Sequence, residues 1–281
     1  MNTDNSLFVS ASKLPYDTEL AAFVARHPRL FVLTGAGCST DSGIPDYRDL
    51  LGGWKRPQPV TYQAFVGDLA TRQRYWARSL VGWRRFGSAL PNAAHHALAR
   101  LESQGKLALL LTQNVDGLHQ AAGSRHVVDL HGRLDQVRCL DCEQRLARAQ
   151  FQTWLLTGNP AWAKLHAADA PDGDADLEDQ GFSNFVIPPC PRCGGMLKPD
   201  VVFFCENVPR DRVEAANQAL EAADAVLVVG SSLMVFSGYR FINAASKAGK
   251  PIAAVNLGHT RADALLTLKV EQPCAEALAF L

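Results

Sequence analysis

Short apolar runs at positions 29–34, 107–111, 127–130, 225–229 and 252–255 alternate with helical patterns at 62–86, 93–104, 212–222 and 239–247. Runs of this length that are apolar throughout belong to strands buried on both faces. The helices between them supply the crossovers that parallel neighbours need. The chain is therefore expected to be α/β, with a mostly parallel sheet and helices on both faces. Ligands in such folds collect outside the carboxyl ends of the strands, where this sequence puts its glycines and polar residues.

The segment 133–203 breaks the rhythm. It carries Cys139-x-x-Cys142 and Cys190-x-x-Cys193, separated by 47 residues (143 to 189). Each pair can form a tight knuckle, and four thiolates close a tetrahedral shell with no position left for substrate, so the expected metal is one structural zinc. The long spacing implies a small module that bulges out of the larger domain. The expected division is a nucleotide-binding domain at 1–132 and 204–281 with a zinc-binding insertion at 133–203. The acidic run 172–179 reads as a solvated loop. Cys38, Cys205 and Cys274 stand alone and make the count of seven odd, which fits thiols in a reducing compartment better than a disulfide framework.

Lys+Arg and Asp+Glu both number 28 among 281 residues, so the chain lacks the basic field that nucleic acid or anionic membrane binding needs. No apolar run reaches membrane-span length. The first twenty residues have neither the basic front and apolar centre of a signal peptide nor the composition of a transit peptide. The expected location is the cytoplasm, with neither nucleic acid nor membrane as partner.

Gly35-Ala36-Gly37 follows the first apolar run, where glycines let backbone N–H groups approach a pyrophosphate. The loop departs from the dehydrogenase fingerprint. Thr40 holds the place of the third glycine, and Lys55 and Arg56 stand where an acidic ribose ligand would be. Pro45 argues against a helix running straight on, and a polar loop carrying Asp46, Tyr47 and Arg48 can fold over a dinucleotide. Hydride transfer is disfavoured. Gln113, Asn114 and Asp116 follow the second run. They can orient ribose, carboxamide and water, and Asn114 or Asp116 can equally cap a helix. His131 ends the third run beside Gly132, a setting that suits a general base. Gly230-Ser231-Ser232 and Asn256-Leu257-Gly258 end two further runs and suit phosphate and adenosine-ribose contacts, although each is also an ordinary turn. Tyr75 and Arg78, at i and i+3 of a helical pattern, can aim a phenol and a guanidinium at one carboxylate. Tyr75 can also pack in the core, with the arginines as a solvated face.

These pieces, in this order, resemble the sirtuins, NAD-dependent protein-lysine deacylases. The matching runs are GAGCSTDSGIPDYR (35–48), TQNVDGLH (112–119), LHG (130–132), the two cysteine pairs, KPDVVFF (198–204), GSSL (230–233) and VN (255–256). RYWAR (74–78), VGW (81–83), PDGD (171–174) and SGYRF (237–241) are similar to the class II branch, which includes the mitochondrial sirtuin-four group. The resemblance implies a Rossmann-like domain plus a zinc domain, with NAD and acyl-lysine meeting in the cleft between them. It implies His131 as base, Asn114 holding ribose and water, and Asp116 holding the carboxamide. Ala36, Asp46 and Arg48 would line the nicotinamide-side loop. Ser231, Ser232, Asn256 and Cys274 would contact the cofactor, and Val201 and Phe203 the acyl-lysine peptide. The products would be nicotinamide, free lysine and O-acyl-ADP-ribose, with acetyl or an acidic acyl group removed. Protein mono-ADP-ribosylation and a silent NAD-sensing scaffold are the alternatives. Cys38 takes a usually aliphatic place. Cys205 takes a glycine's, which is costly if the backbone there has positive φ.

Overall fold

The computed structural model describes residues 16–55, 59–165, 169–177 and 181–281. The readings placed on the first residues, on Arg56, and on Glu178 and Asp179 lie outside them. In chain order the strands are β1 (Leu30–Thr34), β2 (Leu107–Thr112), β3 (Val127–Asp129), β4 (Gly132–Cys139), β5 (Arg145–Ala147), β6 (Asp169–Ala170), β7 (Asp174–Ala175), β8 (Leu197–Val201), β9 (Ala225–Val229), β10 (Ile252–Val255) and β11 (Leu268–Val270). The helices are α1 (Tyr16–Arg26), α2 (Tyr62–Gly67), α3 (Leu69–Phe86), α4 (Ala93–Ser103), α5 (Leu118–Ala121), α6 (Arg148–Gly158), α7 (Arg210–Ala222), α8 (Phe236–Lys247) and α9 (Cys274–Ala277).

Six strands form a parallel sheet in the order β11-β10-β9-β1-β2-β3. β1, β9 and β10 are buried at every position, which is why they read as unbroken apolar runs. Alternate side chains serve two cores. Leu30, Val32, Leu227 and Val255 pack against Phe23 of α1, Leu98 of α4 and Ala277 of α9. Phe31, Leu33, Val226 and Val228 face the other way, onto Leu220 of α7 and Phe241 and Ile242 of α8.

A third core lies outside the sheet. β4 pairs antiparallel with β5 and β8, and this small sheet packs with Phe151 and Leu155 of α6. Phe65 of α2 and Trp76, Leu80 and Val81 of α3 belong to the same core.

Two expectations are corrected here. The pattern 62–86 is two helices, because Asp68 leaves the helical conformation and its carboxylate caps the second, accepting from Ala70 N–H at 3.3 Å and Thr71 N–H at 2.8 Å. The acidic run is not a solvated loop where it is described. β6 and β7 form a hairpin there, Ala175 and Leu177 are buried, and Asp174 pairs with Arg78 of α3. Gly82 admits the hairpin, since a β-carbon on it would collide with the Gly173 and Asp174 carbonyls.

Candidate active site

The sheet parts at β1 and β9. From β1 the chain runs outward to β2 and β3, then returns to lay β9 on the other side of β1, so the turns after these two strands face one crevice. The Gly37 N–H donates to the Gly230 carbonyl at 2.8 Å. Gly230 sits at φ 63°, and a β-carbon on it would collide with the Gly37–Cys38 backbone. Gly230 is required because the two turns touch, and a β-carbon on Gly37 would be a tight fit 3.0 Å from the Gly230 carbonyl.

A cavity of about 1310 Å³ opens over these turns. It is lined by Gly35, Ala36 and Gly37, by Asp46, Tyr47 and Arg48, by Gln113 and Asn114, and by His131. Gly230, Ser231, Ser232, Asn256, Leu257 and Cys274 line it from the other half of the sheet. Tyr75, Arg78, Val201 and Phe203 line it from the side of the small sheet.

Two expected residues do not line it. Asp116 lies behind the wall, where its carboxylate accepts from Ser39 Oγ at 2.7 Å and from Leu118 N–H at 2.9 Å. The second bond satisfies the first N–H of α5 from the residue before its N-cap, Gly117, so neither Asn114 nor Asp116 is itself the N-cap. Burial raises the Asp116 carboxyl above the usual carboxylate range, with those two bonds opposing it. Gly258 packs under Leu50, whose carbonyl a β-carbon would strike. The Asn256 amide ties down this turn by donating to the Leu257 carbonyl at 2.9 Å.

His131 is half-buried at the cavity wall. Its Nδ1 lies 2.9 Å from the Gln113 carbonyl, which can only accept, so the proton sits on Nδ1. Nε2 then accepts from Ser237 Oγ at 2.7 Å. Burial lowers the imidazole pKa to about 4, the Gln113 bond opposing and the Arg212 and Arg240 charges adding to the fall. The ring is neutral near pH 7 and offers a basic nitrogen. Gln113 itself is fixed, its Oε1 accepting from Ser231 Oγ at 2.7 Å.

Asn114 is held by the loop after β1. Its Nδ2 donates to the Gly35 carbonyl and to Ser39 Oγ, both at 3.0 Å. Ser39 thus joins Asn114 to Asp116 and links the wall after β2 to the turn after β1. The loop after β1 is folded on itself. Arg48 donates to the Gly52 carbonyl at 2.7 Å and stacks 3.9 Å over Trp54, while Asp46 pairs with Lys55.

Tyr75 and Arg78 reach one wall as expected, but not as an open carboxylate receptor. Arg78 Nε and Nη2 each donate to an oxygen of Asp174 at 2.8 Å. The Tyr75 ring packs edge-on to Phe65, Trp76 and Phe203, at centroid distances of 5.4, 5.3 and 5.3 Å. The protein's own carboxylate fills the guanidinium fork. Cys205 has φ 62°, so the stated condition for a cost is met.

Away from the cavity, Cys139 and Cys193 Sγ lie 3.5 Å apart, and Cys142 and Cys190 Sγ 3.7 Å apart. A tetrahedron with Zn–S bonds of about 2.3 Å has edges of about 3.8 Å. The four sulfurs therefore fit zinc, and none of them lines the cavity.

Cys38, His95 and His119 form a second, buried cluster, with one donor atom from each within 4.8 Å of the others. It is not poised to ligate. His95 Nδ1 accepts from the Asn92 N–H at 3.2 Å and so closes the cap of α4, which leaves its proton on Nε2 toward Ser39.

Sequence reasoning missed Ser237, Ser39, Lys198 and Glu206 as parts of this region. Ser39, Ser237 and Lys198 stood inside quoted motifs, but only the folded chain brings them to their partners.

The crevice, the paired glycine turns and the separate four-cysteine module define an α/β nucleotide-binding protein with a structural metal. Residues 35–237 match the model of the Sir2 family, and the chain belongs to that family. It is 74% identical over 262 residues to an NAD-dependent protein deacetylase of Xanthomonas campestris pv. campestris (strain 8004), covering 93% of this chain and 89% of the relative. A Bordetella bronchiseptica protein of the same description is 66% identical, with 92% and 95% covered. Among solved structures, Sir2 with a p53 peptide and NAD+ superposes with a TM-score of 0.76 at 29% identity, covering 93% of this chain and 95% of that one. Sir2 bound to an acetylated peptide gives 0.72 at 29% identity, with 94% and 95% covered.

Proposed function

We propose that this chain removes acetyl groups from protein lysines at the expense of NAD, with His131 as the general base. NAD is a substrate here: nicotinamide leaves, and the acyl group passes to the ADP-ribose. The cavity fits such a pair of substrates, since two glycine turns at the switch point can receive a pyrophosphate and polar groups from three strand ends converge on the remainder. In this reading Ala36, Asp46, Tyr47 and Arg48 bound the nicotinamide side, with Gly35, Gly37 and Gln113 beside them. Asn114 orients ribose and water, and Asp116 acts on the carboxamide side from behind the wall through Ser39 and Asn114. Gly230, Ser231, Ser232, Asn256, Leu257 and Cys274 serve the adenosine half, and Gly258 shapes its turn. Val201 and Phe203 face the acyl-lysine peptide.

The observation that carries the reading is the His131 tautomer. A ring with its proton on Nδ1 and a low pKa presents Nε2 as a base at neutral pH, the state needed to take a proton from a ribose hydroxyl. Incubation with NAD and an acetyl-lysine peptide should release nicotinamide and O-acetyl-ADP-ribose in equal amounts. His131→Ala should lower turnover by about 10²- to 10⁴-fold while NAD still binds. More than a tenth of wild-type turnover remaining would refute the role.

The class II reading gains support from how its marker stretches meet. Arg78 of RYWAR pairs with Asp174 of PDGD, Gly82 of VGW admits the same hairpin, and Ser237 of SGYRF bonds His131. The division into a nucleotide domain (1–132, 204–281) and a zinc domain (133–203) belongs to the same reading, with one amendment: α2 and α3 pack with the zinc side. No helix among the described residues is long and apolar enough to cross a membrane. Action on cytoplasmic proteins is the inferred setting, and cell fractionation tests it.

A further inference from the structure

Lys198 is a buried cation in β8, its side chain only 4% exposed. The ammonium contacts the Val201 carbonyl, lies 2.9 Å from Glu206 Oε2, and sits 4.6 Å from the centre of the Phe203 ring. The same Glu206 oxygen accepts from the Phe203 N–H at 2.8 Å. One carboxylate thus ties a charge inside β8 to the backbone of the cavity wall that follows it. Phe203 and Glu206 both line the cavity. The rest of this wall hangs on its neighbours through backbone: Val202 N–H donates to the His131 carbonyl at 2.7 Å, and Tyr62 N–H to the Phe204 carbonyl at 2.9 Å.

A desolvated ammonium is tolerated only beside a fixed counter-charge. The position of Lys198 inside a strand therefore dictates where Glu206 must be, and Glu206 dictates the path of residues 203–206. The wall it shapes ends in Cys205, at φ 62°, a conformation that a non-glycine residue does not hold by preference. Gln63 Nε2 donates to the Cys205 carbonyl at 3.2 Å from the exposed side, and the ion pair is the buried side-chain restraint on the same turn.

We propose that Lys198 and Glu206 are positioning residues for the protein substrate: their buried pair sets the 201–206 wall in the shape that receives the acyl-lysine segment. The pair touches neither His131 nor the glycine turns, so it acts on peptide affinity rather than on NAD binding or the proton transfer. That the occupant is an acyl-lysine peptide rests on the deacetylase reading above.

The test uses the full-length zinc-loaded protein. Removing one partner strands a buried charge and threatens folding, so the informative variant is the double one, K198M/E206Q. It buries no charge and keeps an oxygen for the Phe203 N–H. With zinc content and melting behaviour near wild type, its KM for an acetyl-lysine peptide should rise about tenfold or more, while kcat and the KM for NAD change little. K198R, which keeps the pair, should restore most of the peptide affinity. Amide hydrogen exchange gives a readout independent of turnover: Phe203 should exchange faster in the double variant. Unchanged peptide KM with unchanged Phe203 protection in folded protein would overturn the proposal, as would equal losses for peptide and NAD. A wild-type protein that released no nicotinamide would instead sink the deacetylase reading, and the exchange experiment would still decide the role of the pair.

Discussion

His131 Nε2 lies 2.7 Å from Ser237 Oγ, so the basic nitrogen at the cavity wall is held by a hydroxyl from the first turn of α8. A hydrogen bond donated to the neutral ring favours the neutral form, and burial works in the same direction.

The pH profile follows from this. The folded pKa of about 4 lies below the ordinary histidine value, so the base stays neutral as pH falls through roughly 6.5 and is lost only nearer 4. Wild-type kcat/KM should show no acid limb centred near 6.5. Ser237→Ala removes a bond to the neutral form and should move the acid limb upward. A downward shift would mean that the hydroxyl accepts from the ring and that the tautomer assignment is reversed.

Cys205 sits at φ 62° with its side chain exposed. Cys205→Gly relieves the left-handed strain and should stabilise the protein by about 1 kcal/mol, less the added chain entropy of glycine when unfolded. Urea unfolding at unchanged slope would report it. A destabilised variant would show that the thiol contributes packing worth more than the strain.

An acidic acyl group entering this cavity has to compete with Asp174 for Arg78. Asp174→Asn should raise kcat/KM for glutaryl-lysine relative to acetyl-lysine by about two- to fivefold, the weight of a partly exposed ion pair. If the ratio stays constant, the pair is a clamp between α3 and the hairpin, with no part in choosing the acyl group.

Zinc removal should act through folding. Cys190→Ser opens a closed four-sulfur shell whose binding energy is folding energy, so the variant should lose its metal and aggregate. Elemental analysis beside a melting curve checks this, and an active, zinc-free wild type would contradict it.

Legibility in the sequence tracked the range of each interaction. β1, β9 and β10 could be read because they are buried at every position, so burial wrote itself into consecutive letters. β11, with Lys269 at its centre paired to Asp263 and Glu271, carries no such run and was missed. The glycine turns and His131 could be placed because each ends a readable strand. Ser237 could not, since its partner lies 106 residues away. The hairpin at 169–177 looked like solvated acid because the cation that organises Asp174 stands 96 residues earlier, on α3.

The third core also has a consequence for how such a chain can be recombined. Trp76 and Phe65, from α3 and α2, share their packing with Phe151, Cys139 and Cys190 of the 133–203 segment, and Phe203 of the cavity wall belongs to the same cluster. A graft that moved residues 133–203 alone would carry the metal ligands but leave behind the Phe65, Trp76, Leu80 and Val81 side chains that share their core. The portable unit is residues 133–203 together with the α2–α3 pair. Exchange between relatives is then expected to preserve the two segments as a set, with a crossover between them producing a bare metal knuckle and an unfilled cleft.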